Sequence, residues 1–125
     1  MMSGVFRFLP VGAAALVMSF ASAVPAMADF DVVTSRSQFE QLVDGRELRR
    51  FGIRLTVTSQ GDIIGRAFGS DVTGAWTWQD GFFCRDLFFG GDDLGYNCQL
   101  VQVDGSTLRF TTDRGAGIYA DLNLE

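Results

Sequence analysis

From residue 46 onward, apolar and polar positions alternate with a period of two. Ile53, Leu55 and Val57 are interleaved with Arg54, Thr56 and Thr58, the pattern of a strand that buries one face. Clusters of Gly, Asp, Ser and Gln interrupt the alternation about every 8–12 residues, as in an all-β meander. The pattern predicts strands over Arg46–Phe51, Ile53–Thr58, Ile63–Phe68, Val72–Trp78, Phe82–Phe88, Tyr96–Val103 and Thr107–Thr112. A last strand places Ile118, Ala120, Leu122 and Leu124 on one face. Val72, Gly74, Trp76 and Trp78 share a face, as do Leu108 and Phe110. Before residue 46 the period is helical. Ser35 and Gln38 have capping-box spacing, Phe39, Leu42 and Val43 form an apolar stripe, and Gly45 follows. These features predict a helix over Ser35–Asp44 laid against the main body. Phe30–Thr34 is a short extended segment, and Asp113–Gly117 is a loop. The fold expected is all-β with one short N-terminal helix, an antiparallel meander closing into a small barrel or a strongly curved sheet. Closure removes the exposed edges. Gly65 and Gly74, inside strands, mark its sharp bends.

The stretch Asp80–Cys98 organises the chain. Gly90-Gly91-Asp92-Asp93 lies between two apolar runs and reads as a tight turn. A hairpin centred on Gly91 sets Cys84 opposite Cys98, Arg85 opposite Asn97, Asp86 opposite Tyr96 and Phe88 opposite Leu94. Directly opposed Cβ atoms lie roughly 4.5–5.5 Å apart, which suits a cross-strand disulfide. The pair lacks the Cys-x-x-Cys spacing of redox centres, so a structural bridge is the expectation.

Compartment agrees with that expectation. Residues 1–28 hold one charge, Arg7, then an apolar run over Val11–Phe20, then Ala26-Met27-Ala28. This is the layout of a secretory signal peptide cleaved after Ala28, with an apolar run too short to span a bilayer. The mature chain is then residues 29–125, 97 in all, one small domain in a periplasmic or secreted location where a disulfide persists. Nine arginines follow the leader against fifteen carboxylates, a net charge of −6. That balance argues against a nucleic-acid partner or adhesion to anionic lipid. The chain contains no histidine and no lysine. It therefore cannot build a histidine-based triad, a histidine-ligated zinc site or a lysine Schiff base. No catalytic, metal or cofactor residue is assigned.

Five residues are candidate ligand or partner contacts: Trp76, Trp78, Arg85, Asp86 and Tyr96. The two Trp rings could stack on a ligand in a barrel mouth, or fill the core, their commoner role. Arg85 and Asp86 point to opposite faces. Asp86 beside Tyr96 is either a strand-fixing hydrogen bond or an acid–base pair. Asp92-Asp93 lacks the spaced ligands of a calcium loop and reads as turn chemistry. Arg46, Arg49, Arg50 and Arg54 form a basic cluster that either receives an anionic ligand or partner or, the commoner role, pairs with Glu47, Asp44 and other acids on the surface.

The strings G-x-W-x-W-x-D-G-F-F-C-R-D (Gly74–Asp86), G-G-D-D-L-G-Y-N-C-Q (Gly90–Gln99) and L-R-F-T-x-D-R-G-A-G (Leu108–Gly117) resemble a group of small secreted bacterial proteins. Some members carry the name dihydrodipicolinate reductase. That name implies a cytoplasmic NAD(P)H enzyme of lysine biosynthesis with a Rossmann domain. The chain departs from it, having no strand–glycine loop–helix unit near residue 29 and no counterpart of that enzyme's histidine pair or lysine. Gly74-x-Trp76 is also similar to the Gly-x-Trp of lipocalin-like barrels, where it lies on the first strand. The function expected is a secreted β-barrel module binding a small ligand, an envelope component or a protein. The alternatives are a structural envelope protein, and an enzyme as the reductase name implies.

Overall fold

A computed structural model describes residues 29–125; the signal-peptide expectation for residues 1–28 lies outside them. The chain runs β1 (Asp31–Val32), α1 (Arg36–Val43), β2 (Leu48–Arg50), β3 (Ile53–Val57), β4 (Asp62–Ala67), β5 (Ser70–Gln79), β6 (Phe82–Phe89), β7 (Asp92–Asp93), β8 (Asn97–Asp104), β9 (Thr107–Thr111) and β10 (Tyr119–Leu124). A 3₁₀ turn, Asp113–Gly115, precedes β10. Among the described residues no helix is long and apolar enough to cross a membrane.

Eight antiparallel strands close into a barrel in the order β8-β9-β10-β2-β3-β4-β5-β6, and β6 pairs back to β8. That closing seam is short. It joins Phe83, Cys84 and Arg85 to Gln99, Cys98 and Asn97. The Cys84–Cys98 disulfide lies on it. Beyond the seam, β1 occupies the rest of the same β8 edge, with Asp31 opposite Val103 and Val32 opposite Gln102. The edge that β6 leaves uncovered is thus paired, as edge control requires.

Tight curvature needs strands without Cβ atoms at contact points. A Cβ on Gly65 would stand 2.0 Å from the Arg54 carbonyl oxygen, and one on Gly74 would stand 2.3 Å from that of Asp86. Both glycines let neighbouring backbones approach closely, as expected of bends in a small barrel.

Antiparallel pairing sends alternate turns to alternate ends. The turns after β3, β5 and β8 lie at one end, where α1 closes the barrel. Ser35 caps the helix, its hydroxyl accepting from the Gln38 N–H at 3.1 Å, while the Gln38 side chain accepts from the Thr34 N–H at 3.0 Å. This is the expected capping box, reaching back one residue further than usual. Phe39 is fully buried and stacks among Trp76, Trp78, Phe83 and Phe110, with ring centroids 5.1–6.3 Å away. Leu42 packs against the core and Val43 is buried in it. The Trp pair thus belongs to the core plug, and the Trp76 indole N–H is satisfied by the Thr58 carbonyl at 2.8 Å.

Two expectations are corrected. Phe88 pairs with Asp93, and Phe89 with Asp92, so Leu94 does not face Phe88. An extra residue at Gly95-Tyr96 restores the Cys84–Cys98 register beyond it. Gly95 has φ +87°, and its N–H donates to the Asp93 carboxylate at 2.7 Å, a bulge built on glycine and an Asp turn. The β8–β9 loop is Gly105-Ser106, because Asp104 pairs with Thr107. Ile118 precedes β10 and is 81% exposed, because the 3₁₀ turn delays the strand to Tyr119.

On the outer wall Arg109 holds β9 to β10. Its guanidinium donates to both Asp121 oxygens, at 2.8 and 3.0 Å, and lies about 4 Å from the rings of Phe30 and Tyr119. The hydrogen bond from Arg109 holds the Asp121 carboxyl below its ordinary value of 3.8. A depressed folded value means that the stabilisation is complete above the ordinary carboxylate range and disappears as pH falls through the folded value. The pair is partly exposed, so solvent screening keeps its contribution small. Asp121→Asn should therefore lower stability slightly at pH 7 and leave it unchanged near pH 2. Urea titrations of both proteins at the two pH values check this.

Candidate functional site

Inward-facing residues alternate along every barrel strand, but they do not fill the barrel. Phe83 and Phe110, 5.4 Å apart and both packed on Phe39, form a floor. Above it lies a cavity of about 250 Å³ whose walls include Leu48, Leu55, Val57, Ile63, Leu87 and Leu122. Two polar side chains, Arg85 and Gln99, reach its lining from the closing seam, and Thr112 joins them from the end of β9. The cavity opens at the end opposite α1, where the turns after β2, β4, β6 and β9 lie. Leu55 and Leu87 also line a second apolar depression of about 360 Å³, together with Phe68 and Leu94. Arg85 and Ile118 border a third, of about 440 Å³, with Leu94, Tyr96, Asn97 and Asp113.

The turns at this end carry large exposed apolar side chains: Phe51, Phe68, Leu94, Ile118 and Tyr119. Phe68 is held at φ +50°, and its ring lies against Gly52. An exposed, bulky residue in the left-handed region is uncommon and disfavoured by its own backbone.

Of the five candidate contact residues, the structure brings Arg85 to the cavity and lays Tyr96 on the outer wall, where it borders only the third depression. Arg85 is partly buried. One guanidinium N–H donates to the Gly95 carbonyl at 2.7 Å. Among the described residues it forms no ion pair. Burial pushes its pKa down from the usual guanidinium range, opposed by the charge of Asp86. It remains a cation at neutral pH. Asp86 points outward and is exposed, as the opposite-face expectation required. The proposed Asp86–Tyr96 pair does not form. The bulge displaces Tyr96, whose hydroxyl instead accepts from Gln79 at 3.4 Å and lies 3.6 Å from the Cys98 sulfur.

Some of the remaining sequence candidates take structural roles. Asp93 caps the bulge. In the basic cluster, Glu47 pairs with Arg49 at 2.5 Å and with Arg54 at 3.9 Å. The bond from Arg49 lowers the Glu47 pKa. Cross-strand register sets Arg49, Arg54 and Arg66 side by side on β2, β3 and β4. Among the described residues no three His, Cys, Asp or Glu side chains are grouped to hold a metal ion.

Sequence reasoning missed Gln99, which is 7% exposed. Its signal was present, because the register that pairs the cysteines also sets Gln99 opposite the inward Phe83. It also missed Thr112, Ile118 and Tyr119 as mouth residues, for which the alternation offers no signal.

No family model, curated protein or solved structure matches this chain.

Proposed function

We propose that this protein is a secreted binding module that holds a small, mainly apolar ligand inside its barrel. The observation that carries this reading is the apolar cavity, floored by Phe83 and Phe110 and open at the end opposite α1. A purely structural barrel would gain stability by filling that space, since interiors pack to crystal-like density and unfilled volume costs free energy. The exposed apolar turns around the mouth also support it, because contiguous exposed apolar surface marks interaction sites. The disulfide is compatible with an extracellular location, and residues 1–28 supply the export signal in this reading.

The test uses a fluorescent apolar probe, N-phenyl-1-naphthylamine. The native protein should enhance its emission saturably. Ala120→Phe, which projects a ring into the cavity from β10, should remove that enhancement while the urea midpoint does not fall. Equal enhancement by the two proteins would place the probe elsewhere and refute the cavity as the site. No enhancement by either would refute apolar binding.

A further inference from the structure

The cavity wall is apolar except at Arg85, Gln99 and Thr112, and Arg85 is the one charge among them. Arg85 sits mid-way along β6. Phe83 lies below it at the floor and Leu87 above it toward the mouth. Its side chain borders both the interior cavity and the depression that opens to solvent beside Asp113 and Ile118. A charge at an apolar boundary loses hydration and needs a compensating partner. The protein supplies one carbonyl, that of Gly95. Asp113, the carboxylate lining the same depression, accepts from the Asn97 amide at 2.8 Å and forms no ion pair with Arg85. Asp86 faces the other side of the strand. Next to Arg85 across the seam, Gln99 presents a buried amide to the cavity. No side-chain hydrogen bond ties that amide to another described residue.

Resting on the ligand-binding reading above, we infer that the ligand is a single-chain amphiphile with an anionic head. The head bonds to Arg85 at the mouth and the chain runs down toward Phe83 and Phe110. The geometry suits this polarity. A planar guanidinium offers several parallel N–H donors to a carboxylate, and only one is used internally. Below it the cavity holds about eight water-sized groups, taking roughly 30 Å³ for each, which suits a short alkyl chain. The opposite orientation would leave the cation facing hydrocarbon and the anion among leucines. The disulfide stands one residue from Arg85, so it fixes the strand that carries the cation to the strand that carries Gln99.

Calorimetric titration of the intact oxidised protein with octanoate and with octan-1-ol at pH 7 separates the possibilities. Octanoate should bind at least about tenfold more tightly than the alcohol, the lower end for a hydrogen-bonded charge. Arg85→Gln should remove that preference by weakening octanoate, with the alcohol unchanged within about twofold, and Arg85→Lys should restore part of it. If the alcohol binds the native protein as tightly as octanoate, the inference about the head group fails and the cavity reading stands. If Arg85→Gln weakens both equally, the inference also fails. If neither binds the native protein, both readings fail. The comparison of the two ligands on the native protein needs no variant, so it decides the matter even if Arg85→Gln folds poorly.

Discussion

Phe39→Ala should cost about 3–5 kcal/mol of unfolding free energy, the range for deleting a fully buried aromatic ring. The exposure of Phe39 is 0%, and its ring is the only one that meets Trp76, Trp78, Phe83 and Phe110 together among the described residues. These four partners sit on rigid strands of the barrel and cannot collapse into the space a deletion leaves. A cost at the upper end follows, because the penalty grows with the cavity that remains. A domain of this size has only about 5–15 kcal/mol to lose. Phe39→Leu, which keeps most of the volume, should cost less than about 2 kcal/mol. Urea titrations followed by tryptophan emission measure both, since Trp76 and Trp78 report the plug directly. A loss under about 1 kcal/mol for the alanine variant would mean that α1 is an appendage and not the end wall of the barrel. The same substitution removes the support beneath Phe83 and Phe110. If it folds, it should accept a longer alkyl chain than the native protein does, which titration with decanoate against octanoate would reveal.

The helix and its buried face were legible in the sequence because two independent signals agreed, although not its place as the plug of the barrel end. Ser35 and Gln38 fixed where the helix starts, and the spacing of Phe39, Leu42 and Val43 fixed which face it buries. The barrel was legible for a similar reason. Alternation set the strands, and Gly65 and Gly74 marked contact points that a flat sheet does not need. The cysteine register followed from one turn and two residues. Its failure near the turn is instructive. Counting outward from Gly91 assumes one residue opposite one, and a bulge at Gly95 breaks that assumption without leaving any mark on the alternation. Asp86 and Tyr96 were paired only by that assumption.

The site was harder to read. Residues 82–89 run Phe-Phe-Cys-Arg-Asp-Leu-Phe-Phe, with apolar residues at both parities. Alternation therefore separates Arg85 from Asp86 but does not say which faces in. The answer comes from closure. Once β6 pairs with β8 as well as β5, Phe83 and Gln99 must share the interior, and Arg85 goes with them. Closure depends on contacts between strands far apart in the chain, and on a two-residue strand, β1, that completes the edge. Neither has a local signature. The exposed rim misleads in the other direction. Ile118, Phe51 and Phe68 are apolar residues placed outside, against the burial rule by which Ile118 was assigned to a strand face. A mouth that receives an apolar chain is one place where exposing such residues serves a purpose, and that purpose is invisible until the turns are seen to share one end.

Removing the disulfide should have the second large effect. A Cys84→Ala, Cys98→Ala double variant should lose about 3 kcal/mol, as expected for a 14-residue separation in the chain-entropy model. The position of the bridge makes its loss local as well as global. β5 meets β6 over eight residue pairs, whereas the seam between β6 and β8 has three. Without the bridge the seam is one of the short ladders of the closed barrel, beside β2–β3 with three pairs and β10–β2 with two, and it is the ladder that carries Arg85 and Gln99. Amide hydrogen exchange at 83–85 and 97–99 should therefore accelerate more than exchange on β4 and β5. Octanoate affinity should fall even under conditions where the variant remains folded. If exchange rises evenly over all strands, the seam opens only with global unfolding, and the bridge acts on the unfolded chain alone. If stability is unchanged, the three residue pairs close the barrel by themselves. The expected result is the first. A ladder of three pairs can open while β6 stays on β5 and β8 stays on β9, at a free energy below that of the whole barrel, and the covalent bond across it opposes that opening.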